Sequence, residues 1–336
     1  RTSIKNTIGI ALQEGFNKWA KAGLTAFLSY EYRNFALTDT TNIPGQRIIN
    51  NYKESSLSIG GELSKKQGKL LHYNILGELA IAGEDAGQFS VEGRGDLNLR
   101  LFGDTVRLDV NAFIKNQNPV FYFRHFQSKH YWWDNNDLSK IMRTRLEGKL
   151  SLNRWGTQLR AGVENIKNYT YLANASIPVK DSEGNVTGFK NNAAVRQHSG
   201  NIQIFTAMLQ QKLKVGIFHL DGEVAYQKSS EQDILPLPEL SAYGNLYMKF
   251  GLAKKVLQIE MGADVRYFSK YYAPDYSPVI GQFYNQNPDD KIEIGAFPIV
   301  NVYANLHLKR TRFFIMMYHV NAGSGKSNYF LAPHYP

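Results

Sequence analysis

The stretch Phe89-Ser-Val-Glu-Gly-Arg-Gly-Asp-Leu-Asn-Leu-Arg-Leu101 alternates apolar or small residues with polar ones along its whole length. Successive side chains of a β-strand point to opposite faces, so this pattern predicts a strand with one apolar and one charged face. The apolar face carries Phe89, Val91, Gly93, Gly95, Leu97, Leu99 and Leu101. The charged face carries Ser90, Glu92, Arg94, Asp96, Asn98 and Arg100.

The same alternation recurs about fourteen times along the 336 residues. Most of the segments exceed the roughly 9–11 residues that cross a bilayer as a tilted barrel strand. Strands of soluble proteins have a mode of about 5–6 residues, so the segment length argues against a soluble sandwich. The predicted segments are 3–13, 22–36, 52–64, 69–83, 88–102, 104–116, 138–152, 156–172, 194–213, 215–229, 239–253, 255–270, 296–309 and 311–321.

The connections between these segments alternate in length. Short turns follow the odd-numbered segments, whereas mostly longer loops follow the even-numbered ones: 37–51, 84–87 (a short exception), 117–137, 173–193, 230–238 and 271–295. Short turns at one end of the strands and long loops at the other are typical of outer-membrane barrels, with the short turns in the periplasm. Aromatic residues of the apolar faces also cluster near the segment ends, as the two aromatic girdles of such barrels require.

Composition supports a β-rich membrane protein. Tyr (20) and Phe (19) are abundant, and no run of 18 apolar residues exists, so a transmembrane helix is excluded. The chain has no cysteine, which excludes disulfides and thiolate metal sites. Its net charge is +10, but basic residues alternate with acidic ones and form no basic stripe. Nucleic-acid binding is therefore not expected.

Together these patterns predict an all-β fold in which residues 1–336 form a single domain. This domain would be a transmembrane antiparallel up-and-down β-barrel of the Gram-negative outer-membrane type, with about 14 strands in this chain. The first and last segments both have a free end on the long-loop side. We therefore expect at least one more strand before Arg1 and one after Pro336, and 16 or more in the complete barrel. A barrel of 16–18 strands encloses an aqueous channel.

Charged residues on the inward faces would line that channel, because a midplane Arg or Lys facing lipid costs roughly 2–4 kcal/mol. The alternative is a structural network of salt bridges that conducts nothing, and the two interpretations are compatible. The predicted lumen-lining residues are Arg33, Glu92, Arg94, Asp96, Arg100, Arg107, Asp109, Arg143, Arg145, Glu147, Arg160, Glu223, Glu260, Asp264 and Arg266.

The loop 117–137 is unusually aromatic for a connection of its length. It either folds inward, where it would narrow the pore or bind a ligand, or packs on itself as a surface loop that stabilises the outer end of the barrel. We prefer the second interpretation, because long compact loops usually pack their own aromatic side chains. Its candidate constriction or ligand residues are Phe121, Tyr122, Phe123, Arg124, Tyr131, Trp132 and Trp133.

Enzymatic chemistry finds little support in the sequence. The eight histidines show no metal-ligand spacing, and no nucleophile elbow occurs, so we expect no cofactor and no metal. His219, Asp221 and Ser241 could be neighbours across two segments, but nothing in the sequence orders them as a triad.

Three stretches resemble the putative porin family of the Bacteroidetes. They are Ser128–Asp134, Phe297–Phe314, and Tyr318–Asn321 running on to Tyr329–Pro336. In that family the tail continues into a last strand that ends in an aromatic residue, whereas this chain stops at Pro336, in agreement with the expected further strand. The resemblance implies a porin-type barrel, but neither catalytic residues nor a transported substrate.

The sequence thus predicts an outer-membrane porin that lets small hydrophilic solutes or ions diffuse through a charged, water-filled lumen. Two alternatives remain: the barrel of a TonB-dependent-type transporter, and a structural or secretion-associated barrel occluded by loops or a partner. Expected partners are the lipid bilayer, lipopolysaccharide and small hydrophilic solutes, with a homo-oligomer or other envelope proteins as further candidates.

Overall fold

A single large antiparallel sheet dominates the computed structural model, which describes residues 1–18, 20–40, 47–101, 103–128, 131–190, 192–324 and 332–334. The sheet has 14 strands, and each strand pairs with the next one along the chain. Its strands are β1 (Thr2–Leu12), β2 (Gly23–Thr40), β3 (Arg47–Lys65), β4 (Leu71–Gly83), β5 (Phe89–Leu101), β6 (Asp104–Gln117), β7 (Ile141–Leu152), β8 (Thr157–Asn174), β9 (Ala193–Val215), β10 (Phe218–Ser229), β11 (Leu240–Leu252), β12 (Leu257–Phe268), β13 (Ile299–Leu308) and β14 (Thr311–Met317).

The prediction of fourteen long antiparallel strands is confirmed, and the strand bounds agree with the predicted segments within a few residues in most cases. β1 pairs only with β2 and β14 only with β13 among the described residues, so the sheet is not closed. The stretch 329–336 carries part of the resemblance to the porin family. Only its residues 332–334 are among the described residues.

The predicted loop 37–51 is shorter than expected. β2 and β3 continue pairing beyond the predicted segments, with Leu37 opposite Asn50 and Asp39 opposite Ile48. The polar residues in this region suggested a loop, but a hairpin extending above the membrane needs no apolar face, because both of its sides meet water.

The two faces of the sheet differ as the alternation predicts. Large apolar side chains on the outward face are exposed, including Ile8 (78%), Val163 (53%) and Leu246 (59%). Soluble monomers rarely expose a continuous apolar surface of this extent, so this face is suited to hydrocarbon. The opposite face carries the cross-strand ion pairs, for example Lys115 with Glu92 at 2.6 Å between Nζ and Oε1.

A bulge on β9 reverses which residues of that strand face inward. Lys167 of β8 lies opposite Asn201, but Tyr169 lies opposite His198, so β9 carries one extra residue there. A bulge of this kind shifts the period-two alternation by one position. Ile202 therefore faces inward below the bulge and Val195 above it.

The long loops contain short hairpins, at Ile177–Lys180 with Val186–Lys190, Asp275–Ser277 with Gln282–Tyr284, and His125–Gln127 with Trp132–Asp134. The helices among the described residues are Phe121–Arg124 and a 3-10 turn at Asn153–Trp155. None of the described helices has the length and apolar character needed to cross a membrane.

The opposite environments of the two faces can be tested on β9 with Leu209→Arg and Gln210→Arg. Leu209 lies on the outward face and is 43% exposed, while its neighbour Gln210 lies on the polar face. We expect Leu209→Arg to destabilise the protein in lipid vesicles by about 2–4 kcal/mol, because the charge enters hydrocarbon. We expect Gln210→Arg to change stability by less than about 1 kcal/mol, because the polar face meets water. Urea titration of folding in vesicles measures both values, and equal losses would refute the assignment of the faces.

Candidate functional site

The polar face of the sheet carries a network of cross-strand ion pairs. Lys149 of β7 approaches Oδ2 of Asp109 on β6 at 3.1 Å, and Arg107, on the same strand as Asp109, donates from Nε to Oδ1 of that carboxylate at 2.7 Å. Further along the sheet, Lys249 of β11 lies 3.2 Å from Glu260 of β12. Opposite charges on neighbouring strands stabilise the pairing modestly, and they identify this surface as one that is not immersed in hydrocarbon.

The strand register places all fifteen predicted lumen-lining residues on this polar face. That the face encloses a water-filled lumen stays a prediction. Ten of the fifteen take part in ion pairs: Arg33, Glu92, Asp96, Arg107, Asp109, Arg143, Arg145, Glu147, Arg160 and Glu260.

The other five have different surroundings. The Asp264 carboxylate is buried and accepts a hydrogen bond from Asn301 Nδ2 at 2.9 Å. The Arg266 guanidinium lies 5.9 Å from the centre of the Tyr243 ring. Arg94, Arg100 and Glu223 form no ion pair with any residue that the structure describes.

The aromatic loop between β6 and β7 lies against the polar face at the long-loop end of β2 and β3. The Phe121 ring stacks on Phe35, with centroids 3.8 Å apart and planes 4° apart, and meets the Tyr52 ring edge-on at 5.4 Å. Phe35 and Tyr52 are cross-strand partners two positions beyond the pair Arg33 and Glu54, so they point inward. The loop therefore enters the space that the sheet curves around.

An ionic cluster anchors the loop at this position. Arg124 donates from its guanidinium to Glu54 Oε1 at 2.7 Å, and the Glu54 side chain is only 6% exposed. Arg33 lies 3.1 Å from the second oxygen of Glu54 and 2.6 Å from Asp85. A buried carboxylate is tolerated when cations compensate it, so Glu54 needs both arginines.

The other side of the loop joins a second long loop, that between β12 and β13. The Tyr122 hydroxyl donates to the carbonyl oxygen of Ile280 at 3.0 Å, and burial raises the pKa of Tyr122 to about 12. Trp133 donates from Nε1 to the carbonyl oxygen of Tyr122 at 2.8 Å. A cluster of buried apolar side chains connects this contact to the inner face of β8 and β9, and its members are Tyr131, Trp133, Leu172, Ala193 and Ile280.

The preferred interpretation, that the loop 117–137 packs on itself as a surface loop, is therefore incomplete. The loop does pack its own aromatics, since the Phe126 ring stacks on Trp133 at 4.5 Å, but it also lies inside the curve of the sheet. Six of the seven predicted loop residues take part in these contacts or in the adjoining cluster. Trp132 is the exception, with 64% of its side chain exposed.

The suggestion that His219, Asp221 and Ser241 are neighbours is wrong. Ser241 lies opposite Ala225 and His219 lies opposite Tyr247, six positions away along the hairpin. At about 3.3 Å per residue this separation is near 20 Å, far beyond hydrogen-bond reach. No group of three His, Asp or Glu side chains within the described ranges could hold a metal ion.

Comparisons with known proteins agree with this architecture. A family model described as "Putative porin" matches residues 1–336. The fold is similar to that of the siderophore receptor PirA from Acinetobacter baumannii, with a TM-score of 0.61 and 9% identity over 95% of this chain and 50% of the receptor. The ferric enterobactin receptor PfeA of Pseudomonas aeruginosa gives 0.59 and 12%, over 95% and 48% of the two chains.

The copper transporter OprC is similar as well, with a TM-score of 0.58 and 13% identity over 90% of this chain and 50% of the transporter. This chain therefore spans about half the length of these solved structures. The identities are too low to carry more than the fold. No curated protein matches the chain. Fold and neighbours together indicate a multi-strand β-barrel of the outer membrane.

The role of the ionic anchor can be tested with Arg124→Ala. Removal of this guanidinium leaves Glu54 buried with one cation fewer, so we expect backbone amide exchange in Pro119–Gln127 to accelerate about tenfold or more, as loss of a charged hydrogen bond worth about 1.5–3 kcal/mol implies. Arg160→Ala is the matched control, because Arg160 is partly exposed, lies 4.0 Å from Glu147 on the wall of the sheet, and sits toward the short turns, opposite Lys149. Hydrogen–deuterium exchange with mass spectrometry measures both, and unchanged exchange in Arg124→Ala would contradict the anchor.

Proposed function

The chain belongs to the putative porin family, and from this premise we propose that it forms a passive pore of the outer membrane. Small hydrophilic solutes or ions would diffuse through a water-filled lumen bounded by the polar face of the sheet. The observation that carries the proposal is the segregation of charge. All fifteen predicted lumen residues share one face, while the other face exposes large apolar side chains. An ion-rich interior of this kind is stable only when water solvates it.

The loop between β6 and β7 would act as a constriction in this pore. Its contacts with the inner face at Phe35 and Glu54 hold it within the curve of the sheet. A cavity of about 520 Å³ remains between the loop and the wall, bordered by Arg33 and Glu54 on one side and by Phe121 and Arg124 on the other. The loop would therefore narrow the outer end of the lumen without filling it.

A second candidate function is supported by the structural neighbours. The solved structures named above are receptors for siderophores and a copper transporter, and this chain has the same fold over about half of their length. The chain could accordingly serve as the barrel of a TonB-dependent-type transporter, whose substrate passes only after a gated step. A structural or secretion-associated barrel is the remaining alternative, in which loops or a partner close the lumen.

The proposal includes the surroundings of the protein. Residues 1–336 would act as a single barrel domain whose apolar face contacts the bilayer and lipopolysaccharide, alone or in a homo-oligomer. The resemblance to Bacteroidetes members of the family stays a prediction about its source.

Planar-bilayer recordings of the complete protein test the passive pore. We expect a stable, ohmic current in salt solution that persists without any added energy source or ligand. Insertion without current would refute the passive pore and favour a gated or occluded barrel.

The constriction is tested in the same recordings with Phe121→Ala. Loss of the ring that stacks on Phe35 frees the loop from the wall, so we expect a larger unitary conductance. Trp132→Ala removes an aromatic ring of the same loop that points into solvent, and we expect it to leave conductance unchanged. Equal conductance in all three proteins would exclude a constriction by this loop.

A further inference from the structure

A cavity at the short-turn end of the polar face carries a pronounced excess of positive charge. It measures about 380 Å³ and lies against the inner surface of β3 to β7. Two carboxylates and five cations line it, with His72 beside them. The carboxylates are Asp96 and Asp109, and the cations are Lys65, Lys66, Arg94, Arg107 and Lys149. Lys65 is the last residue of β3 and lies opposite Tyr73, on the outward side of the register, so it borders the cavity only from the rim.

Both carboxylates are already engaged by partners within the cavity. Asp109 accepts from Arg107 at 2.7 Å and lies 3.1 Å from Lys149. Asp96 lies 2.9 Å from His72 Nδ1 and 3.7 Å from Arg107. Two of the five cations, Arg107 and Lys149, and His72 are therefore paired with these carboxylates.

The other three cations have no such partner. Lys65, Lys66 and Arg94 form no ion pair with any residue in the described part of the chain. The cross-strand neighbours of Arg94 are Asn74 on β4 and Asn111 on β6, which are neutral amides. The Arg94 side chain is exposed on the polar face, so its guanidinium is free to bind a solute.

The excess is larger at this end of the strands than nearer the long loops. There, a cavity of about 210 Å³ on β1 to β6 contains the carboxylates Glu31, Glu78 and Asp85 and two cations, Lys5 and Arg33. The cavity of about 520 Å³ beside the docked loop contains three cations and two carboxylates. The cavity at the short turns therefore has the largest positive excess of the three, as a site for an anion requires.

From this arrangement we propose that the cavity at the short-turn end is a binding site for small polyvalent anions, such as those that carry phosphate or several carboxylate groups. The proposal rests on the water-filled lumen proposed above and specifies the solutes that its inner end binds. Guanidinium and ammonium groups donate charge-assisted hydrogen bonds to such oxyanions. Neighbouring strands lie about 4.8 Å apart, so cations on adjacent strands can contact different acidic groups of one small ligand.

Titration calorimetry of the complete protein in detergent tests the site without requiring a conducting pore. Pyrophosphate and citrate serve as probes for the phosphate and carboxylate classes, with acetate as the monovalent comparison. We expect at least one polyvalent anion to bind more tightly than acetate, with an affinity that decreases as salt increases. Binding of pyrophosphate alone would assign the site to phosphate groups, and binding of citrate alone to carboxylates. No binding of either would overturn the proposal.

The variants Lys66→Gln with Arg94→Gln should weaken that binding about tenfold, as expected for the loss of two cations close to a polyvalent anion. Lys5→Gln with Lys249→Gln removes the same charge from the polar face outside the cavity and should change affinity less than about twofold. Equal losses in both pairs would mean that the overall field, and not this cavity, binds the anion. A gel shift between heated and unheated samples verifies that each variant retains its barrel.

The two proposals fail in different ways. Bilayers that carry no current while detergent-solubilised protein binds pyrophosphate or citrate would refute the passive pore and retain the anion site. A stable current without binding of either probe would retain the pore and refute the site.

Discussion

The backbone of a membrane-spanning strand must find every hydrogen-bond partner on neighbouring strands, because hydrocarbon offers none. This constraint demands long, continuous antiparallel pairing and allows only one side of each strand to be apolar. The fourteen-stranded sheet meets it with a register that is nearly uninterrupted across the described strands. The exposed apolar face, the charged inner face and the alternation of short turns with long loops all follow from it.

The same constraint explains why the fold could be predicted from sequence. Alternation over a dozen residues, as in Phe89–Leu101, is determined locally and leaves few other structures available. The position of a charged residue in the alternation determines which face of the strand it occupies. The fifteen predicted residues therefore share one face of the sheet. The bulge on β9 was not predicted. Its extra residue lies between Asn201, which pairs with Lys167, and His198, which pairs with Tyr169. One inserted residue at this place does not visibly interrupt the alternation of apolar and polar residues.

The loop between β6 and β7 could be predicted only in part. Its aromatic composition indicated a compact loop, but its position depends on contacts with residues far away in sequence, such as Phe35 and Glu54. Glu54 and Asp85 were not identified as anchors, since a glutamate at an inward position and an aspartate in a short turn look like ordinary solvated groups. Their importance comes from the burial that the docked loop imposes.

The inner face then carries an uneven distribution of charge beneath a docked loop. Cations and carboxylates are nearly balanced in the cavities at the long-loop end, and unpaired cations lie near the short turns. Each function proposed for the protein depends on this face being wet while the opposite face contacts lipid. The cysteine-free chain allows that to be measured directly with single spin labels. Labels along β11 should alternate, with oxygen accessibility high at Ala242, Gly244 and Leu246, and accessibility to a water-soluble nickel chelate high at Tyr243, Asn245 and Tyr247. Equal accessibility of both sets to the nickel chelate would contradict a strand between lipid and water.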